Sequence, residues 1–190
     1  MGLDIQFAVD NSQEVFTPEY ITNDEFSHSH KLSRTFCNLM CRQHGFSGIP
    51  ELDQIGKITG LDISPLYQME CFMEDFEIDD ELSRFETNEE KENFKKTTLA
   101  EMEKNNGNIE IIYELISALI DRLSKINNLP EKLDHAEYDT LNSEIYFSDF
   151  NLNPGNGDID NNFGQDLRNF KNFIEFARSK GSKTIYFRYE

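Results

Sequence analysis

Positive charge is scarce in this chain: 18 lysines and arginines stand against 36 aspartates and glutamates, for a formal net charge of -18 and a pI near 4.5. Such a chain repels phosphate backbones and anionic headgroups, which argues against nucleic-acid or membrane-surface binding and makes a basic protein the easier partner. Cysteine is scarce too. The three thiols cannot all pair, and Cys37 and Cys41 would lie one turn apart on a helix, a poor geometry for a disulfide. Reduced thiols in a cytoplasm are therefore expected. No uninterrupted apolar run is long enough to span a bilayer. Met1-Gly2-Leu3-Asp4 has neither the basic start nor the apolar stretch of a secretory signal, and Gln6 stands where N-myristoylation needs serine or threonine. Internal repeats and low-complexity linkers are missing as well.

What is present suffices for one core. At 190 residues, with 37% hydrophobic side chains, 16 Phe and 7 Tyr, the chain can bury enough apolar surface without metals or disulfides. Leu3, Ile5, Phe7 and Val9 alternate with Asp4, Gln6 and Ala8, the period-two pattern of a strand with one buried face. Ile185, Phe187 and Tyr189 repeat that pattern at the far end. Residues 14–21 read as a short strand that Pro18 confines to an edge or interrupts, and residues 144–150 as another strand. Between the ends the spacing turns helical. Leu32, Phe36, Leu39 and Met40 form one stripe, Ile109 to Ile126 a second, and Phe163, Leu167, Phe170, Ile174 and Ala177 a third. Asn161 or Asn162 can cap the third helix and Gly181 can end it, while Pro130 follows the second. These patterns predict an α+β fold: a single domain over residues 1–190, with a small, mostly antiparallel sheet joining the N- and C-terminal strands. Four to six helices pack on it, including an acidic, mostly helical segment at about 64–104.

Residues 27–44, SHSHKLSRTFCNLMCRQH, hold three of the four histidines and two of the three cysteines. His30, Cys37, Cys41 and His44 are the metal-ligand candidates, since steps of three, four and seven share a helix face. Positions seven apart are nevertheless roughly 10 Å apart along the axis, too far for one tetrahedral ion. No paired ligand motif accompanies them, so the stretch reads as helix composition and no cofactor is expected. A catalytic reading gathers Asp4, His28, His30 and Arg34 into a polar pocket where the first strand meets the first helix. Cys41 and His44 could touch as a nucleophile pair, but no orienting group or oxyanion hole is visible beside them. Residues 149–160 imitate a calcium loop until Pro154 takes the place that requires glycine.

The acidic stretch is the other feature. Between residues 70 and 92 eleven carboxylates face two cations, leaving nine net negative charges, half of the chain's -18. Glu74, Asp75, Glu77, Asp79, Asp80 and Glu81 are the candidate contacts for a basic partner. Phe72, Phe76, Leu82 and Phe85 among them show that the segment also packs, which favours the plainer reading of a solvated helix face.

The quoted ends carry a resemblance. MGLDIQF, then SHSHKLSRTF, then DLRNFKNFIEFARSKGSKTIYFRYE resemble, in layout, a loose group of bacterial and phage proteins that open with MGLD and an alternating strand and close with an aromatic helix and a strand. The resemblance covers about a third of the chain and implies a prokaryotic or phage cytoplasmic protein. The group has no assigned activity, so it transfers no site residue. Charge, the lack of a complete catalytic motif and this layout together point to a non-enzymatic interaction module that binds a basic protein, possible settings being phage defence, antidefence or toxin immunity. The alternative is a small enzyme using the pocket at the start of the first helix.

Overall fold

The computed structural model describes residues 4–43, 48–71, 73, 75–134 and 141–189, with Cys71 and Asp75 described for their backbone. Strand β1 (Ile5–Val9) follows the predicted alternation, and Leu3 lies outside the described residues. Three short helices come next: α1 (Ser12–Val15), α2 (Pro18–Thr22) and α3 (Asp24–His28). The strand expected over 14–21 is absent for a local reason. Pro18 sits at the first position of α2, where a missing N–H costs nothing, and the Thr17 hydroxyl accepts from Tyr20 N.

Ser33 caps α4 (Arg34–Cys41), which buries Phe36, Cys37, Leu39 and Met40, and Gly60 ends α5 (Glu51–Thr59) with φ +66°. Helix α6 (Ser64–Gln68) runs into a 3-10 turn at Met69–Cys71. Then come α7 (Asp75–Ser83), α8 (Asn88–Lys104) and α9 (Ile109–Leu123). Pro130 opens a separate 3-10 turn rather than terminating α9. Residues 144–150 are not a strand but α10 (Ser143–Tyr146) and the turn after it. The side chains buried there are Tyr146, Phe147 and Phe150, at helical spacing, whereas Ile145, which the alternating reading counted, is 67% exposed. Helix α11 (Phe163–Ser179) and strand β2 (Ile185–Tyr189) complete the chain at the predicted bounds. Eleven α-helices are found among the described residues, and the whole is one α+β domain.

β1 and β2 pair antiparallel from Ile5 opposite Tyr189 to Val9 opposite Ile185. A two-stranded ribbon is marginal in water, so its faces must be covered. On one face Phe7 stacks on Phe173 of α11 at 4.3 Å, with Phe170 at 4.8 Å and Phe187 at 5.9 Å. Phe170, Phe173 and Phe187 are buried, each contributing about 1.5–3 kcal/mol, and Phe7 is half-buried against them. Elsewhere along β2 the Tyr186 hydroxyl donates to Met102 O of α8 at 3.3 Å, and the Arg188 guanidinium lies 5.8 Å from the Phe76 ring centre of α7. The free edge of β2 is closed by a side chain: Asn108 donates to Ile185 O and accepts from Ile185 N, both at 2.9 Å, as a third strand would. Gly164 marks the closest approach of α11 to the preceding turn, since a Cβ there would stand 1.9 Å from Phe150 O.

Candidate functional site

The four polar residues expected at the start of the first helix separate in the fold. Asp4 and Arg34 do meet: Arg34 donates through Nε and Nη2 to the two Asp4 oxygens at 2.8 and 2.9 Å. The hydrogen bonds from Arg34 hold the Asp4 carboxyl below its usual range. Both side chains are at least half exposed, on an open surface. His28 is half-buried against the turn at Gly157, where an added Cβ would lie 3.1 Å from its ring. His30 goes inside, 5% exposed, among aromatic rings. A cavity of about 470 Å³ lies elsewhere, lined among others by Leu129, Glu131, Phe147, Asp149 and Phe150, and none of the four lines it.

Of the metal candidates, Cys37 and Cys41 are neighbours on α4. Cys37 is fully buried and its thiol is pushed up to about 12 by that burial, with the neighbouring Cys41 adding to it; burial raises Cys41 as well. Both stay protonated thiols near neutrality, and a thiolate is the form that attacks or ligates. His30 is enclosed by Tyr20, Phe26, Phe173 and Phe176, and His44 lies outside the described residues. Among the described residues no three His, Cys, Asp or Glu side chains converge as a metal site.

The polar centre of the molecule is one that sequence reading passed over. Asp166, fully buried in the first turns of α11, accepts four hydrogen bonds: Ser33 N at 2.9 Å, Ser33 Oγ at 2.6 Å, Tyr146 OH at 2.7 Å and Asn161 Nδ2 at 2.9 Å. Burial raises its carboxyl above the usual range, and the hydrogen bonds from Ser33, Asn161 and Tyr146 pull it back down. Ser33 in turn accepts from Phe36 N, so Asp166 secures the N-terminus of α4 from another helix. The far end of α4 is tied as well: Arg42 pairs with the buried Glu51 at 2.7 Å, and Ser143 of α10 donates to the same Glu51 oxygen at 3.3 Å. All of this is out of reach of solvent. The Ser33 hydroxyl donates to the Asp166 carboxylate, as does the Tyr146 hydroxyl of α10, so the network ties α4, α10 and α11 together. A sequence signal existed: Asp166 stands in the apolar stripe of Phe163, Leu167 and Phe170, where a carboxylate needs donors.

The acidic segment stands on the outside. Helix α7 carries five carboxylates and no cation; Asp79 and Asp80 are exposed, Glu77 and Glu81 half-buried. Asp75 opens the helix with its side chain outside the description, and Glu74 lies outside the described residues. Ile78 is the buried anchor at 4%, while Phe76 is 58% exposed. Arg84 pairs with Asp80 and Glu81 at 2.7 and 2.6 Å, contacts that solvent screens and a competing cation can replace. Phe85 and Phe94, 5.2 Å apart, close the turn into α8. Thr87 and Glu90 form a capping box: Glu90 N donates to Thr87 Oγ1 at 3.2 Å and Thr87 N to Glu90 Oε2 at 3.1 Å. The result is a helical arm with few buried side chains and a face of one sign. No helix among the described residues is long and apolar enough to cross a membrane. No family model, curated protein or solved structure matches the chain.

Proposed function

We propose that this protein acts by binding rather than by catalysis, and that the acidic arm formed by α7 and its turn into α8 docks a basic partner protein. The free thiols Cys37 and Cys41 suit a reducing compartment such as the cytoplasm, and the layout resemblance supports a bacterial or phage setting. The supporting observation is α7 itself: five carboxylates, no cation, and an aromatic side chain left 58% exposed among them. A partner brings cations to the carboxylates, which speeds encounter, and a pocket for Phe76, which slows release. The polar network around Asp166, by contrast, is buried, with donors from Ser33, Tyr146 and Asn161 committed to its carboxylate.

The test compares affinity capture on the wild-type chain with capture on two variants, E77Q/D79N/D80N/E81Q and Phe76→Ser. A saturable basic protein retained by the wild type and lost at least about tenfold from the charge variant is the expected result, with the loss growing at low salt. Identical sets of proteins on wild type and variants would end the proposal.

A further inference from the structure

The segment carrying α1, α2 and α3 is thinly anchored. Val15 and Ser27 are its buried residues, and α2 contributes none. Rings hold it instead. Phe16 stacks with Phe173 of α11 at 5.8 Å, Tyr20 with Phe176 at 5.1 Å, and Phe26 meets Phe176 edge-on at 5.3 Å. At the centre of this arrangement is His30. Its imidazole lies parallel to Tyr20 at 5.7 Å and to Phe176 at 5.3 Å, with the Phe26 ring edge-on at 4.7 Å and Phe173 edge-on at 6.1 Å. The residue is 5% exposed, and its buried Nδ1 has no hydrogen-bond partner.

A neutral imidazole fits such a box; a protonated one does not. The second N–H would point into hydrocarbon with no acceptor. Cation–π attraction to the stacked faces of Tyr20 and Phe176 returns less than that desolvation costs. Burial accordingly pushes the His30 imidazole down to about 4. The surrounding charges give no relief. Tyr20 is the titratable side chain in ring contact, its phenol pushed up to about 12 and so neutral, and Phe26, Phe173 and Phe176 carry no charge. Lys180 already places its ammonium 5.6 Å from the Phe176 ring centre, so an imidazolium on that ring meets a like charge. Among the described residues no carboxylate is hydrogen-bonded or ion-paired to His30, although Asp24 and Glu25 of α3 lie on the same segment.

We propose that His30 is an acid-operated latch: its protonation expels the imidazole from the ring box and releases α1 to α3 from α11 while the rest of the fold stays closed. The direction follows from linkage. A histidine depressed in the closed state adds stability at pH values above the ordinary value of about 6.5. That stability is lost as pH falls toward about 4, and each pH unit in the window favours the open segment by about tenfold. Opening uncovers Phe173 and Phe176, a strip of α11 otherwise covered by Phe16, Tyr20 and Phe26.

Amide and aromatic NMR spectra of the full chain, recorded from about pH 7.5 to about pH 4.5, test this. The expected result is that resonances of residues 12–28 move to unfolded positions with one midpoint inside that window, that the His30 ring titrates at the same midpoint, and that α9 and α11 amides keep their folded positions. His30→Phe, which fills the box with an untitratable ring, is expected to hold the segment closed throughout. The proposal fails if the wild-type segment stays native to the lowest pH, if His30→Phe opens at the wild-type midpoint, or if α9 melts together with the segment. Should His30→Phe not fold, the wild-type spectra decide alone: separate midpoints for the His30 ring and for residues 12–28 overturn the latch.

Discussion

Helices α8 and α11 are both seventeen residues long, yet α11 buries ten of its residues and α8 buries Thr98 alone. The two stand for different reasons. Helix α11 is held by what other parts of the chain bring to it: phenyl rings from β1, β2 and α4, and donors from Ser33 and Tyr146. Helix α8 is held largely by local terms, namely its capping box, acidic residues in its first turn and Lys104 in its last. One is the hub of the fold and the other is a surface.

That contrast can be broken by substitution. Asp166→Ala leaves the Ser33 amide and hydroxyl, the Tyr146 hydroxyl and the Asn161 amide without their acceptor inside the core. A loss of about 3–5 kcal/mol is expected, read as a fall in the denaturant midpoint at constant slope. Thr87→Ala removes the cap of α8 and is expected to cost about 1 kcal/mol, with faster amide exchange confined to the first turn of α8. Uniform loss of protection across the molecule would instead make α8 part of the core. Leu99→Ala, at a side chain 45% exposed on α8, is expected to shift stability by less than about 0.5 kcal/mol. A larger effect would mean that Leu99 is packed in solution and that the arm is less free than its burial implies.

Some of this was legible in the chain, and particular residues show why. The bounds of α11, a cap at Asn161 or Asn162 and Gly181 after its end could be read directly, because periodicity, capping and left-handed backbone are properties of neighbouring residues; in the structure the cap is Asn162. The pairing of the two terminal strands followed from matching alternation. The strands expected at 14–21 and 144–150 failed where local apolar alternation competed with better helix signals: the Thr17-Pro18 start in one case, and the spacing of Tyr146, Phe147 and Phe150 in the other. At the candidate sites, composition marked His28 and His30 as equivalent, and the fold sets one on a turn and the other inside a box of rings.

The sequence by itself determined the net charge, the acidity of the α7 segment, the helical character of the long amphipathic segments and the alternation of the two terminal strands. These depend on residue identity and on spacings of two to four positions, which act before any distant contact forms. Only the tertiary structure decided which polar groups lie inside. Asp166 is tolerable in the core because Ser33, 133 residues away, delivers two donors to it, and His30 is neutral because α2, α3 and α11 close around it. The free energy of a buried polar group is set by whether its partners arrive, and arrival is a property of the folded chain as a whole.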